Sequence, residues 1–367
     1  MIDIAMNWIW ILLLILMSCS TPAEKQASLI VPSDAEPRVL SDLSELIDSM
    51  TYIPLEINDD CVLGDVQTAR MCDDRILVKD DKGLFVFNRD GKFLFQVGRN
   101  GRGPSEHLGI QTFYYNEFSK EFGILSSGST ALLIYDDIGT FKRSYKLDYV
   151  EMFSYAMPIS ESSVLVAYSL RNEYRPFKSQ VSVMTFGEGD TVLFQEWVPN
   201  LAVSTGYYEY SPLRSPLAEY DGRFYAASPF SNDLWICSPD NEPDMLRFGL
   251  TDKLIGGKML EDADIHDFWG WLQSARSGGK SAGITALFAD EKYIYAEINN
   301  EYILITDTKD AVTIALPLIQ DKNYYMSLGG LGFKSSMGVI TDFNEDGILK
   351  NPTVYYSDFK EGILTSK

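Results

Sequence analysis

Imidazole and thiol chemistry is scarce in this chain, which has two histidines, His107 and His266, and four cysteines, Cys19, Cys61, Cys72 and Cys237. No two cysteines form a C-x-x-C pair, so a zinc site of Cys/His type is nearly excluded. Two histidines also leave little scope for a Ser/His or Cys/His relay. Asp342, Asn344, Asp346 and Gly347 imitate the start of a calcium loop, but its twelfth position is Thr353 where a glutamate is needed, and the segment reads as a hairpin turn. Asp262, Asp264, His266 and Asp267 point in several directions on a helix, so they read as a solvated face and not as a metal cluster. No metal and no cofactor are expected. Paired carboxylates for glycoside chemistry stay open, because their spacing is spatial and not sequential.

A glycine-rich run, Gly98, Gly101, Gly103 and Pro104, carries Arg99, Arg102, Glu106 and His107 beside it. No helix follows, so it lacks the helix N-terminus on which a phosphate loop depends. The glycines and the proline fit a tight connection between two strands.

The elements that would position such residues are strands. Residues 66–72, 75–79, 83–87 and 93–97 form four short apolar runs, with an Asp-Gly hairpin signal at Asp90 and Gly91. Four antiparallel strands make one propeller blade. The third-strand pattern recurs at Phe85, Leu132, Val181, Leu234, Tyr302 and Val354, giving spacings of 47, 49, 53, 68 and 52. These are propeller-like repeat lengths, and the 68 requires an insertion. Within it, Leu260, Ile265, Phe268, Trp269 and Leu272 share a helical face, predicting a helix over 260–272 that ends at Gly278 and Gly279. The last blade lacks a fourth strand, and residues 52–57 are one strand too many at the start. The expected fold is therefore all-β, a six-bladed β-propeller of four-stranded antiparallel blades. The N-terminal strand closes its ring, and one helix is inserted between blades four and five.

Residues 8–17 form an apolar run of signal-peptide length, too short for the about 20 residues of a membrane span. Leu16, Met17, Ser18 and Cys19 follow, similar to a bacterial lipobox whose cysteine is acylated, although the preceding residues carry Asp3 and no Lys or Arg. The expected domains are a lipoprotein signal peptide over 1–18, a flexible tether over 19–40 and the propeller over 41–367. The expected address is the cell envelope, anchored by lipid to the outer membrane and facing the periplasm or the surface. Cys61 and Cys72 flank one short segment and could pair, but free buried thiols are favoured for Cys61, Cys72 and Cys237.

The stretch from Phe93 to Glu106 resembles the Gly-Arg/Lys-x-Gly-x-Gly-Pro-Gly-Glu loop of a bacterial family of lipid-anchored six-bladed β-propellers, with Ser105 where the family has glycine. Tyr52 to Glu56, Leu246 to Gly249 and Asn351 to Tyr355 are similar to other motifs of that family. The resemblance implies a propeller related to NHL-repeat and TolB-like folds, and adds little on activity.

Net charge is −21, from 52 acidic and 31 basic residues, which disfavours a nucleic-acid partner and leaves the lipid as the only membrane contact. The longest connections, 99–109, 200–213 and 251–282, all join a fourth strand to the next first strand, and 170–178 joins a second to a third. Both link types emerge on one face. That face would gather Arg99, Arg102, Glu106, His107, Arg171, Arg175, Tyr207, Tyr208 and Trp271, with Tyr210 and Trp269 nearby, a mixture suited to recognition. The expected function is binding or scaffolding of a protein, peptide or glycan partner through that face. The alternative is a propeller enzyme, a lyase or hydrolase on a saccharide or ester, with its site at the central channel mouth.

Overall fold

A computed structural model describes residues 28–29, 45–126, 131–147, 153–168, 179–187, 191–199, 216–228, 230–238, 241–247, 254–255, 259–260, 262–263, 267–280, 283–298, 302–307, 312–317, 320–321, 324–325, 332–341 and 351–363. Two N-terminal strands, β1 (Ser28–Leu29) and β2 (Ile47–Pro54), precede the first blade. That blade is β3 (Thr68–Cys72), β4 (Arg75–Lys79), β5 (Leu84–Asn88) and β6 (Phe93–Val97). Blade two is β7 (Ile110–Asn116), β8 (Glu121–Ser126), β9 (Ala131–Tyr135) and β10 (Phe141–Lys146). Blade three is β11 (Phe153–Pro158), β12 (Ser163–Tyr168), β13 (Ser179–Phe186) and β14 (Val192–Pro199). Blade four is β15 (Leu217–Tyr220), β16 (Arg223–Ala227), β17 (Asp233–Ser238) and β18 (Asn241–Arg247). Helix α1 (Phe268–Ser277) follows, and then blade five, β19 (Ile284–Ala289), β20 (Ile294–Ile298), β21 (Tyr302–Asp307) and β22 (Val312–Pro317). A small pair, β23 (Gln320–Asp321) and β24 (Tyr324–Tyr325), leads to β25 (Gly338–Ile340) and β26 (Thr353–Phe359). The first five third-strand anchors read from the sequence fall in the third strand of their blades, and Val354 falls in β26, between β25 and the closing strand β2.

Burial explains why the pattern was readable. Middle strands such as β8 and β20 are buried at every position, because a neighbouring blade covers each of their faces. Outer strands such as β10 alternate. Successive side chains therefore enter opposite grooves: Ile76 and Val78 pack toward the sixth blade, and Leu77 toward the second. Six core clusters result, one in each groove between neighbouring blades, including the groove between the last blade and the first. The ring is closed. Its hairpins repeat one chemistry: the Asn88 side chain accepts from the amides of Asp90 and Lys92 beside Gly91 at φ 79°, and Asp136 does the same for Ile138 and Thr140 beside Gly139 at φ 81°.

Closure is made by β2, which pairs antiparallel with β26 in the register Tyr52↔Tyr355 and Ile53↔Val354. The strand expected at 52–57 thus exists in its expected role, but it runs from Ile47 to Pro54: Leu55 still donates in register to the Pro352 carbonyl at 2.8 Å, and the ladder stops there because Pro352 has no N–H to return. Between blades one and two, Arg75 places a two-pronged contact on Asp137, at 2.9 Å from each carboxylate oxygen, and the Tyr115 hydroxyl donates to the same carboxylate at 2.6 Å.

Two expectations need correction. The inserted helix lies between blades four and five, but it spans Phe268–Ser277 and not 260–272. Asp267 caps it by accepting from the Gly270 amide, so Asp267 serves as a cap and not as a face residue. Leu260 belongs to a separate helical turn, yet it packs with Leu272, Phe230 and Ile255 in one satellite cluster, which is why both leucines looked like one face. Within the expected tether, Ser28 and Leu29 pair parallel to Leu246 and Arg247 and add a fifth strand to the rim of blade four.

Candidate functional site

The glycine-rich run links β6 to β7 and is held by its own hydrogen bonds. The Glu106 carboxylate accepts from the Gly103 amide at 2.8 Å, the Gly101 amide donates to the His107 carbonyl at 3.0 Å, and the His107 amide donates to Arg99 at 3.0 Å. A Cβ at Gly101 would sit 2.0 Å from a Glu106 carboxylate oxygen, so a side chain there would push that carboxylate off the Gly103 amide. Gly98 adopts φ 65° under the Tyr135 ring, and that tyrosine donates to the Ser105 carbonyl at 3.1 Å. Glu106 is therefore committed to the loop. Arg99 and Arg102 are exposed.

His107 is only 1% exposed, and neither ring nitrogen has a hydrogen-bond partner among the described residues. Burial lowers its pKa below 6.5, against a smaller opposing pull from Glu106. The unfolded chain then takes up a proton near pH 6.5 that the folded chain resists, so folding stability is lost as pH falls below about 6.5. His107→Leu is expected to melt progressively higher relative to the wild type as pH drops from 7 to 5. A difference between the two proteins that is flat across that range would show that this imidazole does not resist protonation.

Trp271 is half-buried against the α1 satellite cluster and serves packing. Arg171, Arg175, Tyr207, Tyr208 and Tyr210 lie outside the described residues, as does Cys19, and of Trp269 only its place in α1 is described. The calcium-like run from Asp342 lies outside them too. The sequence holds one Gly-x-Ser-x-Gly string, Gly279 to Gly283, against the expectation that there is none; it falls between α1 and β19, whereas a nucleophile elbow runs from strand to helix, and Ser281 lies outside the described residues. Cys61 and Cys72 are free, and burial pushes each thiol up to about 12.

A concavity with several charged residues lies elsewhere. A cavity of about 410 Å³ occupies the channel at the end where first strands turn into second strands, opposite the long loops. Its chemistry comes from first strands and the turns that follow them: Arg70 in β3, Tyr155 in β11 and Glu219 in β15, with Glu117, Glu291 and Lys334 in first turns. The Arg70 guanidinium lies 3.9 Å from the Tyr155 ring centroid and 4.9 Å from that of Phe113, with one long bond of 3.4 Å to the Phe113 carbonyl. Among the described residues no carboxylate reaches ion-pair distance of it. Lys79, on the same face of blade one, donates to the Gln111 carbonyl at 3.5 Å, and burial together with Arg70 lowers its pKa.

Opposite Arg70, Glu219 is open to the channel yet enclosed by the surrounding wall. That enclosure, and the Glu117 charge after it, raises its carboxyl above the ordinary range. The other charges are engaged: Lys334 pairs with Glu291 at 2.9 Å, and Asp290 accepts from the amides of Lys292 and Tyr293 and from the Tyr295 hydroxyl at 2.8 Å. Phe118, at 54% exposed, and Ile138, at 68%, stand on two turns of blade two at this same end. No group of three or more His, Cys, Asp or Glu converges as a metal site among the described residues.

Sequence reasoning missed Arg70 because β3 reads as an ordinary strand, Thr-Ala-Arg-Met-Cys. An alignment of the repeats would have put Glu117, Asp221, Glu291 and Lys334 in corresponding first turns and so pointed to that end of the ring, though not to Arg70 itself.

Comparison with solved structures agrees with the architecture. A protein described as exported, from Bacteroides fragilis NCTC 9343, superposes with a TM-score of 0.57 at 15% identity, covering 87% of this chain and 96% of its own. A member of the duf4221 family from Bacteroides vulgatus superposes with a TM-score of 0.51 at 10% identity, covering 86% and 97%. Both likenesses concern the fold. No curated protein matches the chain. No helix among the described residues is long and apolar enough to cross a membrane. One family model spans residues 31–357, so the chain belongs to the family described as domain of unknown function DUF4934.

Proposed function

We propose that this protein is a lipid-anchored binding propeller of the bacterial cell envelope, which takes its ligand in the channel at the first-turn end of the ring. The observation that carries the site is Arg70. A guanidinium stacked on two rings from neighbouring blades, its hydrogen-bonding edge unengaged by any acid among the described residues of a chain of net charge −21, is a prepared anion contact. The aromatic wall and the carboxylates across the channel give the few converging polar groups on an apolar surface that ligand pockets use.

The test is a thermal-shift panel of amino acids, dipeptides, uronic acids and oligosaccharides on wild type and Arg70→Met. At least one class is expected to stabilise the wild type, by about 2.7 kcal/mol at a hundredfold excess over Kd, and to lose that effect in Arg70→Met with the unliganded melting temperature little changed. A ligand whose shift persists in Arg70→Met sinks the channel reading. The second reading keeps the long-loop face, where Arg99 and Arg102 are exposed cations; it predicts instead that Arg99→Ala with Arg102→Ala removes the shift.

The envelope address rests on the apolar run at 8–17 and the lipobox-like Leu16 to Cys19. Acyl chains anchor through buried methylenes and need no spanning helix. Cys19→Ala is expected to leave the protein unprocessed or in the soluble fraction, and a variant still membrane-bound after carbonate washing would refute lipidation.

A further inference from the structure

Resting on the reading of the channel mouth as the ligand site, we propose that its guest is zwitterionic: an amino acid or short peptide whose carboxylate meets Arg70 and whose ammonium meets Glu117 and Glu219. Charge accounting leads there. Lys334 is matched by Glu291, and Asp290 is held by its own turn. Arg70 on blade one, Glu117 on blade two and Glu219 on blade four have no ion pair or side-chain hydrogen bond to an acid or base among the described residues. A guest that is only anionic would suit Arg70 but meet two carboxylates in a strongly acidic protein. A guest that is only cationic would leave a stacked, partly buried guanidinium without a partner. One anionic and one cationic group on the same small molecule satisfy both walls.

The cations agree on polarity. Thr68 pairs with Lys79 and Arg70 with Leu77, so Arg70 and Lys79 project from the same face of the β3–β4 pair toward blade two. The anion-seeking wall is thus on blade one, and the acids stand on blades two and four. A planar guanidinium fixed by Tyr155 presents parallel N–H groups, which fit a carboxylate. The aromatic surface of Phe113, Tyr155 and Phe118 suits a flat or apolar side chain between the two charged ends.

The experiment is calorimetric titration of the purified full-length protein with L-phenylalanine, with Ala-Phe bearing free termini, and with N-acetyl-Ala-Phe-amide. A free-termini probe is expected to bind, and the doubly blocked peptide to bind at least about thirtyfold more weakly. Whether phenylalanine or the dipeptide binds more tightly distinguishes an amino acid from a peptide. Arg70→Met should erase the preference for free carboxylate over amide, and Glu219→Gln, which keeps shape, should erase the preference for free ammonium over acetyl. If the blocked peptide binds as tightly as the free one and Arg70→Met weakens both, the zwitterion inference is wrong and the channel site stands. If no probe binds at about 1 mM, the inference is equally wrong, and the wider panel above decides the site by itself.

Discussion

Removing residues 47–54 is expected to abolish cooperative folding, and not merely to lower the melting temperature. The segment pairs with β26 from Ile47 to Pro54 and contributes Ile53 to the groove between blades six and one. Losing seven ladder partners at about 1 kcal/mol per hydrogen bond, with a buried isoleucine at about 2 kcal/mol, approaches the 5–15 kcal/mol that holds a whole domain together. The check is a denaturant melt followed by tryptophan fluorescence and circular dichroism. A peptide covering 45–57 added in trans should restore part of the transition. A deletion variant that melts like the wild type would mean that the strand is not part of the ring.

The second large effect is expected at a glycine. Gly123 in β8 stands opposite Tyr114 in β7, and a Cβ there would lie 2.1 Å from the tyrosine's Cζ. The ring is 3% exposed and cannot swing away without emptying the groove between blades two and three. Gly123→Val should therefore cost about 3 kcal/mol or more. Tyr114→Ala in the same chain should recover much of it, giving a coupling of opposite sign to the single losses. Additive losses in the double-mutant cycle would show that the two residues do not share space. Gly338 under Tyr355 repeats the arrangement in blade six, at 2.1 Å, beside the closing strand.

The blade frame was legible because burial on two faces leaves a continuous apolar run, as in Leu84–Asn88 and Ala131–Tyr135, and turn chemistry brackets each run. The helix edge was not, because Leu260 and Leu272 meet in space from two separate helical pieces, which periodicity cannot distinguish from one. The site was least legible. The long loops drew attention by length, and length marks where the chain travels, not where the ring is hollow. Of the loop residues, Glu106 proved to be a cross-brace and His107 a buried imidazole, whereas Arg70 sits in a strand with nothing local to announce it. Its meaning comes from Phe113 and Tyr155, brought to it by two other blades.

The closing pair also orders events in time. Ser49 and Asp358, which share a hydrogen bond, are 309 residues apart in the chain. No leading fragment of the polypeptide can finish the circle, so β2, which precedes every blade in the chain, is the last to find its partner, and it waits while five blades assemble. Closing so long a loop carries an entropic cost that grows only slowly with length, but the search delays folding. Until it ends, both β2 and β26 show unpaired edges to other chains. At high concentration two half-finished molecules can each supply the other's missing strand, so strand-exchanged dimers should form during refolding and become rarer with dilution.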